Sequence, residues 1–316
     1  MSGTALILGG SGRFGRHMSA ELWNNGWSVR QFDRARDDIM QAAKGVDVIV
    51  NGWNPPYHEW EAELPGQTDA IIAAARASGA RVVQGANVYV FGQGNGGAFG
   101  PDHPHRAVNP LGRIRMEMEA KLHASDVPLL ILRSGDYLDT EASGNWFDRL
   151  ITKPLAKGRI DYLGDPDVPH AWAFLPDVAR MGAALLARGD LPHQLEVATA
   201  DFTLSGRDLA AALGEVLGRE IRVAPFAWWP LYLARPVMPI LKGVIEMRYL
   251  WSLPHWMDDT AWRAWCPGFE PTPLVDALTQ CAGVSELVAR PDQPRPTRDG
   301  LPGRRHTSRN SRWSSG

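Results

Sequence analysis

An α/β fold, with a parallel sheet covered by helices on both faces, is predicted by three observations. Short continuous apolar runs alternate with helical patterns through the first half of the chain, a glycine-rich turn joins the first run to the first helical pattern, and an acid closes the second run. Strand-helix alternation forces the helices onto the sheet faces, and strands buried on both sides read as unbroken Val/Ile/Leu runs rather than as alternating ones. At 316 residues the chain is long enough for one doubly wound unit with a smaller C-terminal region built onto it.

The elements follow in order. Apolar runs at 5–8, 27–32, 46–50, 81–83 and 129–132 are the expected strands, and helical patterns at 14–23, 70–77 and 114–122 lie between them. Asn109-Pro110 reads as a helix start, with Asn accepting orphan amides and Pro preset for the first helical position. Ile114, Met118 and Leu122 are that helix's expected buried stripe. Beyond Arg133 the pattern loosens into strands near 171–174 and 196–198 and helices near 177–187 and 207–217, which are the expected substrate-side elements. The resulting division is a nucleotide-binding core over 1–135, a substrate-side region interleaved with it over 136–285, and a basic tail over 286–316.

A formal charge of -2, with 22% charged and 44% hydrophobic residues, gives no overall attraction for nucleic acid. The charge is uneven: seven Arg against Asp292 and Asp299 make residues 290–316 +5, which leaves -7 on the rest. This tail offers little apolar surface to offset the entropy of ordering it, so disorder is expected. Cys266 and Cys281 match no metal-ligand spacing and suggest no disulfide framework, which fits a reducing cytoplasm. The first apolar run leads directly into glycines and reads as a strand rather than a signal peptide. The segment 223–241 is rich in Trp, Leu, Pro and Val, but four prolines oppose a membrane-spanning helix, and a buried or partner-facing helical hairpin is expected. In the segment 246–251 the aromatics read as core or as a homodimer surface.

The first strand ends in Gly9-Gly10-Ser11-Gly12-Arg13-Phe14-Gly15. Gly9 suits the tight turn, Gly12 lets backbone approach a pyrophosphate, and Gly15 allows close packing of helix on strand, while the helix N-terminus supplies amides and the positive dipole end. The next strand ends at Asp33, close to the separation of about 20 residues expected for the acid that takes the adenine ribose hydroxyls. Together these features make the start of the chain Rossmann-like and the cofactor NAD or NADP. Asp33 repels a 2′-phosphate and favours NAD, while Arg13, Arg34 and Arg36 could neutralise one, so the preference for NAD is slight.

These residues resemble the extended short-chain dehydrogenase/reductases, the NAD-dependent epimerase/dehydratase group. The resemblance covers roughly residues 4–280. It rests on the spacing of Gly9, Gly12 and Gly15, on the strand 45–51, on Val88-Tyr89-Val90-Phe91-Gly92, and on Phe174-Leu175-Pro176-Asp177-Val178-Ala179. It implies cofactor contacts at Asn51, Gly52 and Trp53, and it adds Phe14 and Arg13 through the glycine loop. Only eleven residues separate Asp33 from Gly45, too few for the family's third strand and its helix, so that strand is expected to be missing.

The family's proton-transfer residues are a Ser or Thr after the fifth strand and a Tyr-x-x-x-Lys on the next helix, where Lys lowers the Tyr pKa. Matching Val88-Tyr89 and the helix 112–119 to that pattern puts Gly85 at the Ser position, Leu111 at the Tyr position and Arg115 at the Lys position. Leucine donates no proton, and Arg stays charged near neutrality. Arg115 either binds ribose hydroxyls or an anionic substrate group, or forms an exposed ion pair with Glu119 one turn on. Asn87 and Tyr89 lie where the missing Ser should act and could supply an amide and a phenolic proton; alternatively, Tyr89 packs under the loop. Tyr137, Asn145 and His170 fall where the family builds its substrate pocket, although a lone His on an aromatic strand is more often structural. Two functions compete: an NAD(P)-dependent oxidoreductase, epimerase or dehydratase acting on a small carbonyl or sugar-like substrate through a non-standard site, and a non-catalytic NAD(P)-binding regulator or scaffold.

Overall fold

The structure, a computed structural model, describes residues 2–199 and 202–289. The chain opens with β1 (Thr4–Leu8), α1 (Arg13–Asn24), β2 (Ser28–Phe32), a one-turn α2 (Ile39–Ala42), β3 (Val48–Asn51), α3 (Trp60–Ser78) and β4 (Arg81–Ala86). A short β5 (Gly97–Phe99), α4 (Pro110–Ala124), β6 (Leu129–Ser134), β7 (Asp136–Leu138), β8 (Arg159–Tyr162) and β9 (His170–Phe174) follow. The chain then returns through α5 (Leu175–Leu186) to β10 (Gln194–Thr199), and continues with β11 (Phe202–Leu204), α6 (Gly206–Leu217) and β12 (Arg222–Pro225).

Six parallel strands form the central sheet in the order β10-β6-β4-β3-β1-β2. Alternation within each strand builds two separate layers. Ala5 and Ile7 of β1 face the core made with Met18 and Leu22 of α1 and Val178 of α5. Leu6 and Leu8 face the other core, with Ile71 of α3 and Met118 of α4. The chain leaves β1 toward β2 on one side and reaches β3 on the other, so a crevice opens at the carboxyl ends of β1 and β3.

β2 is the edge strand, and among the described residues no strand lies outside it. The span 33–47 holds only the single turn α2, capped by Asp38, whose Oδ1 accepts from the Gln41 amide at 2.9 Å. The expected loss of one strand is therefore a property of the fold. Helix α3 is longer than its apolar pattern: it starts at Trp60 and carries Pro65 inside. Pro and Gly hide its first half from periodicity, and the burial of Trp60 and Leu64 outweighs the lost amide bond.

The rest of the chain after β6 is split between two tasks. α5 and β10 complete the central sheet, while β11-β9-β7 and β12-β8 form small sheets over a second core around Trp172 and Trp251, and β13 (His255–Met257) pairs with β5 beside the core of Phe91, Phe99 and Met257. Between β12 and β13 lie α7 (Trp229–Ala234) and α8 (Ile240–Glu246). The expected helical hairpin is present, but its outer side is not buried: Trp229 is 66% exposed, Leu233 71% and Val237 80%. In the segment 246–251, by contrast, Met247, Leu250 and Trp251 are core residues. The chain continues with α9 (Thr260–Trp265), α10 (Leu274–Gln280) and α11 (Ser285–Val288). That last turn includes the first residues assigned to the basic tail, and from Arg290 onward the tail lies outside the described residues. Among the described residues no helix is long and apolar enough to cross a membrane.

Candidate active site

A cavity of about 380 Å³ opens at the crevice between β1 and β3. One wall is the glycine loop. Gly9 has a φ of +73°, and a Cβ there would lie 2.8 Å from the Gly52 carbonyl oxygen, so both conformation and space require glycine. At Gly15 a Cβ would lie 2.3 Å from the Gly9 carbonyl oxygen, so this glycine sets how closely α1 packs on the turn. No side chain caps the first turn of α1 and no acid lies in it, which leaves its positive end for an anion. These features fit a dinucleotide's diphosphate.

Most of the expected site residues meet here. Gly12, Arg13 and Phe14 line the cavity from the loop, and Asn51, Gly52 and Trp53 line it from the end of β3. Asn51 is held rigidly: its Nδ2 donates to Gln84 Oε1 at 2.7 Å and its Oδ1 accepts from the Trp53 amide at 3.1 Å. Asn87, Tyr89, Arg115, Tyr137 and Asn145 complete the opposite side. Asp33 and Arg34 do not line the cavity. Asp33 lies just past β2, where its carboxylate accepts from the Ala35 amide and pairs with Arg36 at 3.3 Å, while Arg34 pairs with Glu63 at 3.1 Å.

Several expectations are corrected by the packing. Gly85 is inside β4, and a Cβ there would stand 3.1 Å from the Phe14 ring, so aromatic carbon fills the space assigned to the missing Ser. The first residue past the strand is Asn87. Its Oδ1 accepts from the Tyr89 amide at 3.0 Å, which leaves the amide nitrogen uncommitted. Arg115 and Glu119 are not an exposed pair: they are 4% and 1% exposed, and Glu119 binds the buried Arg133 instead, at 2.7 Å. Arg115 lies over the Trp60 indole at 4.1 Å and donates to Asn54 Oδ1 at 2.6 Å. On α4 the expected stripe is buried at Met118 and Leu122 but Ile114 is only half-buried, and the polar pair Arg115 and Glu119 is buried beside them. Asn109 does not cap α4 with its side chain; the Leu111 amide is accepted by Glu246 Oε1 at 2.7 Å, from the end of α8.

His170 is outside the cavity lining. It is buried, stacked on Trp251 at 4.2 Å, and bonded through Nε2 to Asp136 Oδ2 at 2.7 Å, so it reaches the cavity only through Asp136, which lines it. Tyr89 both packs and faces the site. Its ring lies in a core with Trp60 and Leu111, and its hydroxyl shares a 2.7 Å hydrogen bond with the hydroxyl of Tyr57. Burial pushes the Tyr57 phenol up to about 12 and that of Tyr89 well above its ordinary value, and burial also raises Tyr137. All three phenols are therefore neutral donors near neutrality.

Sequence reasoning missed Tyr57, Asn54, Trp60 and Asp136, all of which line the cavity. The run Trp53-Asn54-Pro55-Pro56-Tyr57 was a usable signal: two prolines hold the loop after β3 in a fixed path, and a fixed loop at a strand's carboxyl end is where polar side chains can be aimed. Asp139, buried just past β7, ties this region to α1 by accepting from Arg16 and His17, the latter at 2.8 Å.

No protein-family model matches the chain, and no curated protein matches it in sequence. Its fold, however, is shared with solved structures over most of its length. A nucleoside-diphosphate-sugar epimerase from Staphylococcus aureus superposes with a TM-score of 0.64 at 17% identity, covering 87% of this chain and 99% of its own. UDP-glucuronic acid 4-epimerase from Bacillus cereus, in complex with UDP-glucuronic acid and NAD, gives 0.68 at 15% identity over 90% and 99%. The triphenylmethane reductase of Citrobacter gives 0.63 at 15% identity over 89% and 99%. The fold expected from the resemblance is thus the observed one.

Proposed function

We propose that the protein is a nicotinamide-dinucleotide-dependent oxidoreductase, of the epimerase, dehydratase or reductase kind, acting on a small carbonyl or sugar-like substrate. The observation that carries this reading is the convergence, in one cavity, of an uncapped helix mouth behind a glycine turn with three phenols, one buried and two half-buried, and a buried guanidinium. The solved structures with this fold include an epimerase complexed with NAD and a sugar nucleotide, which supports the same class here.

Gly9, Gly12 and Gly15 would seat the diphosphate against the amides of α1, with Arg13 beside it, and Asn51, Gly52 and Trp53 would flank the dinucleotide. NAD is the proposed form, since Arg34 and Arg36 are each already paired with a carboxylate and Asp33 opposes a 2′-phosphate. A bound nicotinamide supplies or accepts a hydride. The chain's part is the proton: the linked hydroxyls of Tyr57 and Tyr89 stand in for the absent tyrosine of the family pattern, and a neutral phenol can donate to a substrate oxygen as negative charge develops on it. Asn87 offers a further donor through its free amide nitrogen.

The test is turnover of NADH and NADPH with a panel of aldehydes, ketones and nucleotide sugars, together with calorimetry of both oxidised dinucleotides. We expect NAD to bind more tightly than NADP, and Tyr57→Phe with Tyr89→Phe to lower kcat by about 100-fold or more, the usual weight of a positioned acid. Tight dinucleotide binding without turnover of any of these would support a cofactor-holding regulator instead.

A further inference from the structure

Among the described residues two arginines are buried, and they are partnered very differently. Arg133 holds two carboxylates, Glu119 at 2.7 Å and Glu196 at 2.6 Å. Arg115 holds none. Its Nη2 donates to the neutral Asn54, its Nη1 reaches only the Met118 sulfur at 3.5 Å, one ring face of Trp60 lies beneath it, and its Nε has no partner. Glu119, one turn away, spends its hydrogen bonds on Arg133, so it favours the Arg115 charge only through space and gives it no ion pair.

The cavity that Arg115 lines provides no substitute. Its two acids are engaged elsewhere, Asp136 with His170 and Glu141 with Arg16. Arg13, across the cavity on the glycine loop, bonds only the Ser143 carbonyl, at 2.9 Å, and stands where the diphosphate would be. A buried cation without an ion-pair partner is disfavoured: desolvation lowers the Arg115 pKa, and the through-space attraction of Glu119 offsets that only in part. Arg is also the side chain suited to a planar, two-oxygen acceptor.

From this unmatched guanidinium we infer that the cavity selects substrates bearing a carboxylate, which Arg115 takes as its counter-ion beside the Tyr57 and Tyr89 hydroxyls. The inference rests on the cavity being the substrate pocket of the proposed oxidoreductase, and it names the substrate class. The carboxylate neutralises the charge, while the phenol that accepts in the Tyr57–Tyr89 hydrogen bond keeps its own proton for a neighbouring oxygen of the same molecule. The diphosphate of the dinucleotide is the other source of anionic oxygens, and the experiment separates the two.

Calorimetric titrations of the NAD-loaded protein would compare acetate with acetamide and D-glucuronate with D-glucose, for the parent chain and for Arg115→Met and Arg115→Lys. We expect at least one carboxylate to bind tenfold or more tightly than its neutral counterpart. Arg115→Met should erase that preference and Arg115→Lys should keep part of it. Removing a buried charge that holds no ion pair should leave the melting temperature of Arg115→Met equal to or above the parent's, whereas Arg133→Met, which strands two carboxylates, should melt lower. The inference is overturned if neither carboxylate is preferred. It is equally overturned if Arg115→Met costs NAD affinity while the carboxylate preference survives, or if Arg115→Met melts as low as Arg133→Met. Failure of NAD itself to bind the parent chain would instead remove the dinucleotide reading.

Discussion

Phe14 and Gly85 illustrate how one contact can replace a reactive group. The ring of Phe14, the second residue of α1, lies against Gly85 at 3.1 Å from where a Cβ would be, so the two positions are coupled by volume. Gly85→Ser, the change that restores the family's hydroxyl at the matched position, should therefore cost about 1–3 kcal/mol of stability through overpacking. Phe14→Leu should relieve most of it. Urea denaturation of both single variants and the double variant measures the coupling, and strict additivity would show that the ring is not the obstacle. The matched pattern could not reveal this, because the residue that fills the space lies about seventy positions earlier on another element. Arg115 was legible as a departure from the pattern, but not as a buried one, since its charge suggested a solvated face and its neighbours Asn54 and Trp60 come from the loop after β3 and the start of α3.

Helix α4 shows a similar division between local and distant causes. Its start was readable from Asn109-Pro110, yet its first amide is accepted by Glu246, 135 residues on at the end of α8. Glu246 also accepts from Asn109 Nδ2 at 2.8 Å, so one carboxylate fixes both the helix mouth and the hairpin that carries it. Glu246→Ala should destabilise the protein by about 1–2 kcal/mol, the usual loss for a charged cap at a helix N-terminus. Hydrogen exchange at Leu111 should speed up relative to the middle of α4, and unchanged exchange there would show that the cap is idle. Since α4 carries Arg115, loss of this cap should also loosen the site wall.

The architecture as a whole was largely legible, because strand-helix alternation and the glycine turn are local signals and the missing strand follows from a chain length. Of the small sheets around Trp172 and Trp251 the sequence disclosed only the strand near 171–174; its short partners are specified by packing rather than by period. That second core has a consequence for acid stability. Burial lowers the His255 imidazole to about 3, with His170 adding to the effect, while the ring stacks on Phe99 and its Nδ1 bonds the Leu253 carbonyl. The folded pKa lies below the unfolded value of about 6.5, so below that pH the unfolded chain binds the extra proton and stability falls as pH drops, by up to about 1.4 kcal/mol per unit. His255→Phe keeps an aromatic stack and should remove about one proton from the slope of unfolding free energy between roughly pH 6.5 and 4. An unchanged slope would place the acid sensitivity elsewhere.

The bare outer edge of β2 bears on how a dinucleotide would be gripped. With no strand beyond β2 among the described residues, and α2 packed on the core shared with α3, the adenine end would meet solvent rather than a further strand, and the hold on the molecule would concentrate at its diphosphate. A fluorophore or resin tether attached to the purine amine would then project into open water, leaving the loaded protein free to be labelled or immobilised by its own ligand.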